Sequence, residues 1–287
     1  MKIVIWGHKL HTHTHSYIHA AFYKAFKNMG YECYWFDDKD DVSSFDFSDC
    51  LFITEGQVDK KIPKRNDCFY VLHNCNGNDY NVKNKIGLQT YTKDRTNADG
   101  KYIHFDGSTI TMCWATDLLP HEINTDVQYN NKQYDSIFWI GTIGDGTFGN
   151  RSELTPFINR ANNKGKRFVH SDPWGAPKSF EENCDMIRRS YLAPTIVGTW
   201  QKEKHYIPCR IFKNISYGKM GLTNSPVVKE MFGDMVVYSD DTSKLFDLAE
   251  ERMNTITHQE MKDSMEYVKN NHTYINRCKS ILECFNL

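Results

Sequence analysis

Three cations stand close together in CRIFKNISYGKMGLTNSP, residues 209–226: Arg210, Lys213 and Lys219, with Gly218 and Gly221 beside a short apolar run. The turn Thr223-Asn224-Ser225-Pro226 then opens the run VVKEMF. Ser, Thr or Asn before a helix, with Pro in its first turn, is a helix-start signal. Such a start presents unpaired N–H groups and the positive end of the helix dipole. Together these features suit a diphosphate and point to a site for a phosphate-bearing small molecule, foremost a sugar nucleotide. The plainer reading is a helix–turn–strand connection with solvated lysines, and the stretch by itself does not separate the two.

A second concentration of chemistry lies near the N-terminus, where His8, His11, His13, His15 and His19 crowd one loop and the helix after it. Histidine takes a proton from a hydroxyl near neutral pH, so His13 or His15 could act as a general base. Glu55, at the end of an apolar run, is the carboxylate alternative. The structural alternative is that some of these histidines cap the helix or touch substrate hydroxyls. HTHTH also has the residue types of a zinc site, and His15 and His19 fall one helical turn apart. The segment superficially resembles the HxHxDH signature of metallo-β-lactamases. However, Ser16 stands where that signature has Asp, and Tyr17 where it has His.

The elements that must hold these residues follow from the apolar pattern. KIVIW (Lys2–Trp6), YECYWF (Tyr31–Phe36), CLFIT (Cys50–Thr54) and CFYVL (Cys68–Leu72) are short, β-branched or aromatic runs, as buried parallel strands require. Tyr17 to Met29 carries apolar residues at helical spacing, and Gly30 ends it. Residues 76–112 read mainly as loop, with strands near Lys101–Phe105 and Thr109–Cys113. WATDLLPHEI (Trp114–Ile123) reads as a link, with a boundary in the polar stretch after it. The grammar then restarts. SIFWI (Ser136–Ile140) leads into the glycine-rich loop GTIGDGTFGN, followed by helices near 151–162 and 180–189, strands near 167–170, 195–197 and 235–238, and amphipathic helices to the C-terminus. In open sheets of this kind ligands bind beyond the carboxyl ends of the strands. That places His73, His170 and Asp172 toward the site, and Trp174 either over a nucleotide base or as the anchor of its loop.

The totals narrow the class. The 287 residues suffice for two domains, and a net charge of −1 lacks the basic excess of an obligate nucleic-acid binder. No apolar run approaches the roughly 20 residues of a membrane span, and the N-terminal run reads as a first strand rather than a signal peptide. Nine dispersed cysteines without a CxxC pair suggest reduced thiols and a cytoplasmic protein.

Four stretches resemble glycosyltransferases of the GT-B type, more narrowly the small CgeB/family-1-like group: KIVIWG with HTHSYIHAAFYKAFKNMGYECYWFDD; WATDLLPHEI with IFWIGTIG; RIFKNISYGKMGLTNSPVVKEMFGDMVVYSDD; and HTYINRCKSIL. The resemblance implies an α/β protein of two Rossmann-like domains facing a cleft. Residues 1–125 would form the acceptor side and 126–270 the donor domain, with 271–287 a helix packing back toward the first. It implies a nucleotide-sugar donor, a hydroxyl acceptor (glycan, protein or modified nucleic acid), no cofactor and no required metal. Arg210 and Lys213 would neutralise the diphosphate, and amides near Asn224 and Ser225 would cradle it. Gly141, Thr142 and Gly144 would allow close approach. Asn214, Tyr217 and Asn224 would bind sugar and ribose, and Gly218 and His170 belong to the same donor set. His13, His15 and Glu55 are the catalytic candidates. Many retaining enzymes of this fold carry two Glu seven residues apart near the donor helix. Here Glu230 is followed at that spacing by Val237, which leaves the stereochemistry open. The rival functions are a zinc hydrolase built on HTHTH and a nucleotide-sugar binding module without catalysis.

Overall fold

In the computed structural model, residues 1–10, 15–56, 60–92, 102–130 and 132–287 are described. They form two compact units, one of Met1–Met112 with Tyr274–Leu287 and one of Cys113–Thr273. The division falls between Met112 and Cys113, whereas the sequence suggested a break near residue 125. The WATDLLPHEI stretch belongs wholly to the second unit: Thr116 bridges to Thr273, and Trp114 and Ala115 are buried.

The first unit is a seven-stranded sheet in the order β2-β1-β3-β4-β5-β7-β6. Its strands are β1 (Lys2–Trp6), β2 (Cys33–Phe36), β3 (Cys50–Glu55), β4 (Phe69–His73), β5 (Asn84–Gln89), β6 (Ile103–Phe105) and β7 (Thr109–Met112). All neighbours pair in parallel except β6 with β7. Parallel strands covered on both faces need apolar residues throughout. Accordingly Ile3, Val4, Ile5, Leu51 and Phe52 are fully buried. Helix α1 (Ser16–Asn28) crosses from β1 to β2. The chain then returns to β3 on the other side of β1, so the order reverses between β1 and β3. The C-terminal helix, Tyr274–Cys284, packs on α1 through an edge-to-face contact of Tyr274 with Phe22, centroids 4.8 Å apart.

The second unit begins with β8 (Ser136–Ile140), which pairs in parallel with β9 (Arg167–Ser171). A separate parallel ladder joins β10 (Pro194–Thr195), β11 (Gly221–Thr223) and β12 (Val236–Tyr238). Two hydrogen bonds tie β8 to the segment that enters β10: Phe138 N donates to Ser190 Oγ (2.9 Å) and Tyr191 N to Ser136 O (2.7 Å). Thus β8 lies between β9 and the approach to β10, and this unit also reverses its order beside its first strand. The helices are α2 (Arg151–Asn163), α3 (Phe180–Arg188), α4 (Thr199–Glu203), α5 (Cys209–Ser216), α6 (Pro226–Phe232), α7 (Thr242–Thr255) and α8 (His258–Asn271). Ile137, Trp139, Leu154, Phe157, Leu222 and Phe246 form the core between the strands and α2 and α7. Each such side chain contributes about 1.5–3 kcal/mol by leaving water. Among the described residues no helix is long and apolar enough to cross a membrane, and the nine cysteines are free thiols.

Lys219 is part of this core and not a site cation. It is 3% exposed, and its Nζ donates to Tyr129 O and Ser190 O, both at 2.6 Å. Burial pushes its pKa down to about 7 from 10.5. Because the folded value lies below the unfolded one, the unfolded chain binds more protons above about pH 7. The penalty is therefore fully present below pH 7 and is relieved as pH rises toward 10.5. We expect unfolding free energy from urea titration to rise by up to about 1 kcal/mol between pH 7 and 8. Lys219→Met, though less stable overall, should lose this slope; an equal slope in both proteins would refute the assignment.

Candidate functional site

In the first unit the reversal between β1 and β3 brings the loop after β1 beside the last residue of β3, which is Glu55. Its side chain is fully buried, with Oε2 3.6 Å from His8 Nε2 and Oε1 3.9 Å from His15 Nδ1. Asn74 Nδ2 donates to Oε1 at 3.4 Å. A carboxyl group at this depth needs hydrogen-bond donors or positive charge nearby; Asn74 supplies one donor, and the two imidazole nitrogens lie just beyond hydrogen-bond distance. His15 sits at the N-cap of α1 but makes no side-chain cap bond. Its ring meets His73 edge-on at 5.4 Å. Burial, reinforced by His15 and His19, pushes the His73 pKa down to about 3, so His73 is neutral at physiological pH.

The geometry divides labour among the sequence candidates. Glu55 is sealed at 0% exposure, whereas the His8 and His15 side chains are 20% and 27% exposed. A substrate hydroxyl can therefore reach a histidine, with Glu55 behind it. His19 is structural: its Nδ1 lies 3.2 Å from His8 O, and its ring lies edge-on to Trp35. A Cβ at Gly7 would come within 2.3 Å of that ring. His11 and His13 lie outside the described residues, and with them most of the HTHTH zinc reading. Among the described residues no group of three or more His, Cys, Asp or Glu could hold a metal ion.

In the second unit the carboxyl end of β8 opens onto a cavity of about 80 Å³ between α3 and α5. Its walls include Ile140, Asn183, Ile187, Arg210, Lys213 and Tyr217. Helix α5 turns Ile211, Phe212 and Ile215 into the core. The stripe left on its other side is Arg210, Lys213, Asn214 and Tyr217, the i, i+3, i+4, i+7 spacing of one helical face. Arg210 lies over Trp139, 3.8 Å from guanidinium carbon to ring centroid, and donates to Ile140 O at 2.7 Å. Burial lowers its pKa to about 10, so it remains a cation at neutral pH. No carboxylate pairs with it among the described residues, and four of its five N–H donors have no protein acceptor among them.

Other sequence candidates serve this cation or the fold. Gly141 has φ of +142°, and a Cβ there would meet Arg210 Nη2 at 2.4 Å, so only glycine lets the guanidinium lie against the loop. The Gly141 carbonyl is 2.8 Å from His170 Nε2. Thr142 and Gly144 lie outside the cavity wall. Asn150 pins both, its Nδ2 donating to Thr142 O (3.5 Å) and its Oδ1 accepting from Gly144 N (3.2 Å). Lys213 is not a free phosphate ligand, since its Nζ pairs with Asp117 at 2.8 Å. Burial presses its pKa down, but Asp117 outweighs this and holds it above the usual value. The same Asp117 accepts from the Tyr217 hydroxyl at 2.6 Å. Burial first and Asp117 second raise the Tyr217 pKa well above its ordinary value.

Three further candidates have partners within the protein. Asn214 Nδ2 donates to Ala193 O at 2.9 Å and ties α5 to β10. Asn224 is fully buried, accepting from Val197 N (2.9 Å) and donating to Val197 O (3.0 Å). Ser225 is fully buried as well, and its amide donates to Thr223 Oγ1 at 3.1 Å, so it offers no cradle for a phosphate. Gly218, at φ +90°, ends α5. Trp174 is 57% exposed and does not anchor its loop by burial. Asn183 and Asp117 escaped the sequence reading. The signal for Asn183 was a polar residue in helical phase with Ile187; for Asp117 it was a carboxylate inside an otherwise apolar segment.

No protein-family model and no curated sequence matches this chain. Solved structures do. A DNA-modifying β-glucosyltransferase, studied with and without uridine diphosphoglucose, aligns over 100% of both chains with a TM-score of 0.58 at 13% identity. The T4 phage β-glucosyltransferase with UDP and Mn²⁺ aligns over 100% of both chains with a TM-score of 0.55 at 12% identity. A further structure of the T4 phage enzyme gives 0.51 at 12%. The chain thus has the α/β fold of two Rossmann-like units, the GT-B type expected from its sequence.

Gly141→Ala should displace Arg210 and leave the core intact. The expected outcome is an unchanged melting temperature within about 3 °C, with at least tenfold weaker binding of inorganic pyrophosphate by calorimetry. Unchanged binding would show that Arg210 is not held by the glycine.

Proposed function

We propose that this protein is a glycosyltransferase that moves a sugar from a nucleoside-diphosphate donor to an acceptor hydroxyl. The observation that carries the proposal is Arg210, a cation at the order reversal of a Rossmann-like unit with no carboxylate beside it among the described residues. Ligands of open α/β sheets bind at such reversals, and an arginine fork matches phosphate oxygens. The shared fold of enzymes that bind UDP and UDP-glucose supports the same donor class. The four sequence stretches further suggest the CgeB/family-1-like group.

In the second unit Arg210 takes up the charge that develops on the leaving diphosphate. In the first unit His15, or His8 beside it, is the group suited to take a proton from an acceptor hydroxyl. Glu55 orients the imidazole and stabilises the imidazolium, the role a buried carboxylate plays behind a catalytic histidine. Glu55 is thus a positioning residue, and the histidines are the base. Mn²⁺ accompanies UDP in one neighbour. Here the carboxylate beside the cavity, Asp117, is already engaged by Lys213 and Tyr217, an arrangement that does not fit a divalent cation. A hydroxyl on a modified DNA base heads the acceptors to be tried, because a neighbour is a DNA-modifying enzyme.

The test is transfer of labelled glucose from UDP-glucose to a panel of hydroxyl acceptors that includes hydroxymethylated DNA. Arg210→Ala should lower kcat/KM by about 30-fold or more, as loss of a charge-assisted contact implies. Glu55→Gln should lower kcat while leaving the KM for donor within twofold. Donor binding with no transfer to any acceptor would leave a binding module, and absence of donor binding would end the proposal.

A further inference from the structure

Asn74 follows β4, beside the end of β3, and has a backbone conformation that most side chains avoid. Its φ is +53°, in the left-handed region that glycine enters freely and asparagine tolerates. The neighbouring residues hold it there. Gly56 N donates to His73 O at 3.0 Å, and a Cβ at Gly56 would come within 1.9 Å of the Asn74 carbonyl oxygen, so the two backbones are closely packed. On the next residue, Cys75 Sγ donates to His73 O and lies against Thr54 Oγ1, both at 3.2 Å. Glycine would take this conformation at lower cost, so a side chain kept here calls for a use.

The contacts of the side chain supply one. Asn74 is exposed, yet its Nδ2 donates inward to Oε1 of the sealed Glu55 carboxyl group at 3.4 Å. His15 Nδ1 lies 3.9 Å from the same oxygen, and His8 Nε2 lies 3.6 Å from Oε2. Rotation about the last torsion of a glutamate is soft. A donor held against one oxygen therefore sets the plane of the whole group. Both imidazole nitrogens stand just beyond hydrogen-bond distance, so a modest change in that plane decides how well the carboxyl group engages either ring.

We propose that Asn74 is a positioning residue for the acceptor-side base: its amide fixes the plane of Glu55 and, through it, the alignment of His15 and His8. This rests on the glycosyltransferase reading above.

Asn74→Gly removes the amide and keeps the backbone conformation. In the glucose-transfer assay it should lower kcat about fivefold or more, with the donor KM within about twofold and the melting temperature within about 3 °C of wild type. The double variant Asn74→Gly with Glu55→Gln gives a readout that a merely structural role would not move. Losses from residues that act through one another do not add, so its kcat should lie within about twofold of that of Glu55→Gln alone. An unchanged kcat in Asn74→Gly, or a loss carried by the donor KM instead, would overturn the proposal. Full additivity in the double variant would overturn it too, by showing that Asn74 acts elsewhere than on Glu55. A wild type that transfers glucose to no acceptor would overturn the glycosyltransferase reading, and this proposal with it.

Discussion

Arg210 lies between the face of Trp139 and the carbonyl of Ile140, charged and with no carboxylate beside it among the described residues. Much of the second unit is arranged to permit this. Gly141 gives up a side chain so that the guanidinium can lie against the loop. Trp139 is placed under it by the buried strand β8. Helix α5 is held to β10 by Asn214 and ended by Gly218, which fixes the stripe on which Arg210 stands. A half-buried cation without a counter-charge is unfavourable alone, and an anion reverses that sign. Lys213 shows the contrast: its charge is already matched by Asp117, so it shapes the cavity instead of supplying it with charge.

The first unit solves the opposite problem. It buries a carboxyl group, Glu55, at the equivalent topological position and covers it with imidazoles that remain partly exposed. The two units thus share one architectural device, a charged residue set where the strand order reverses beside the first strand. One is a cation with no carboxylate beside it among the described residues, and the other is a carboxyl group beneath imidazoles. His73 is kept neutral by burial, while the neighbouring His15 faces the carboxyl group.

The sequence disclosed the buried parallel strands well, because a strand covered on both faces must be an apolar run, as in KIVIW and SIFWI. It hid β5, where NKIGLQ turns only Ile86 and Leu88 inward and is otherwise polar. It suggested a boundary later than the division after Met112, because the tie between Thr116 and Thr273 joins residues far apart along the chain. For the site, the spacing of Arg210, Lys213 and Tyr217 was legible as one helical face. The roles of Asn224 and Ser225 were not, since helix-start residues look alike whether their amides face solvent or, as here, a buried neighbour. Asn183 and Asp117 carried only weak signals because neither belongs to a motif, and each matters only through atoms brought near it by folding.

The central claim, that the end of β8 and the start of α5 hold a diphosphate, is most directly tested by amide hydrogen exchange with and without UDP. The account predicts slowed exchange concentrated in the peptides covering residues 139–144 and 209–217, with 221–238 little changed. Protection confined to other segments, or none at saturating UDP, would contradict it.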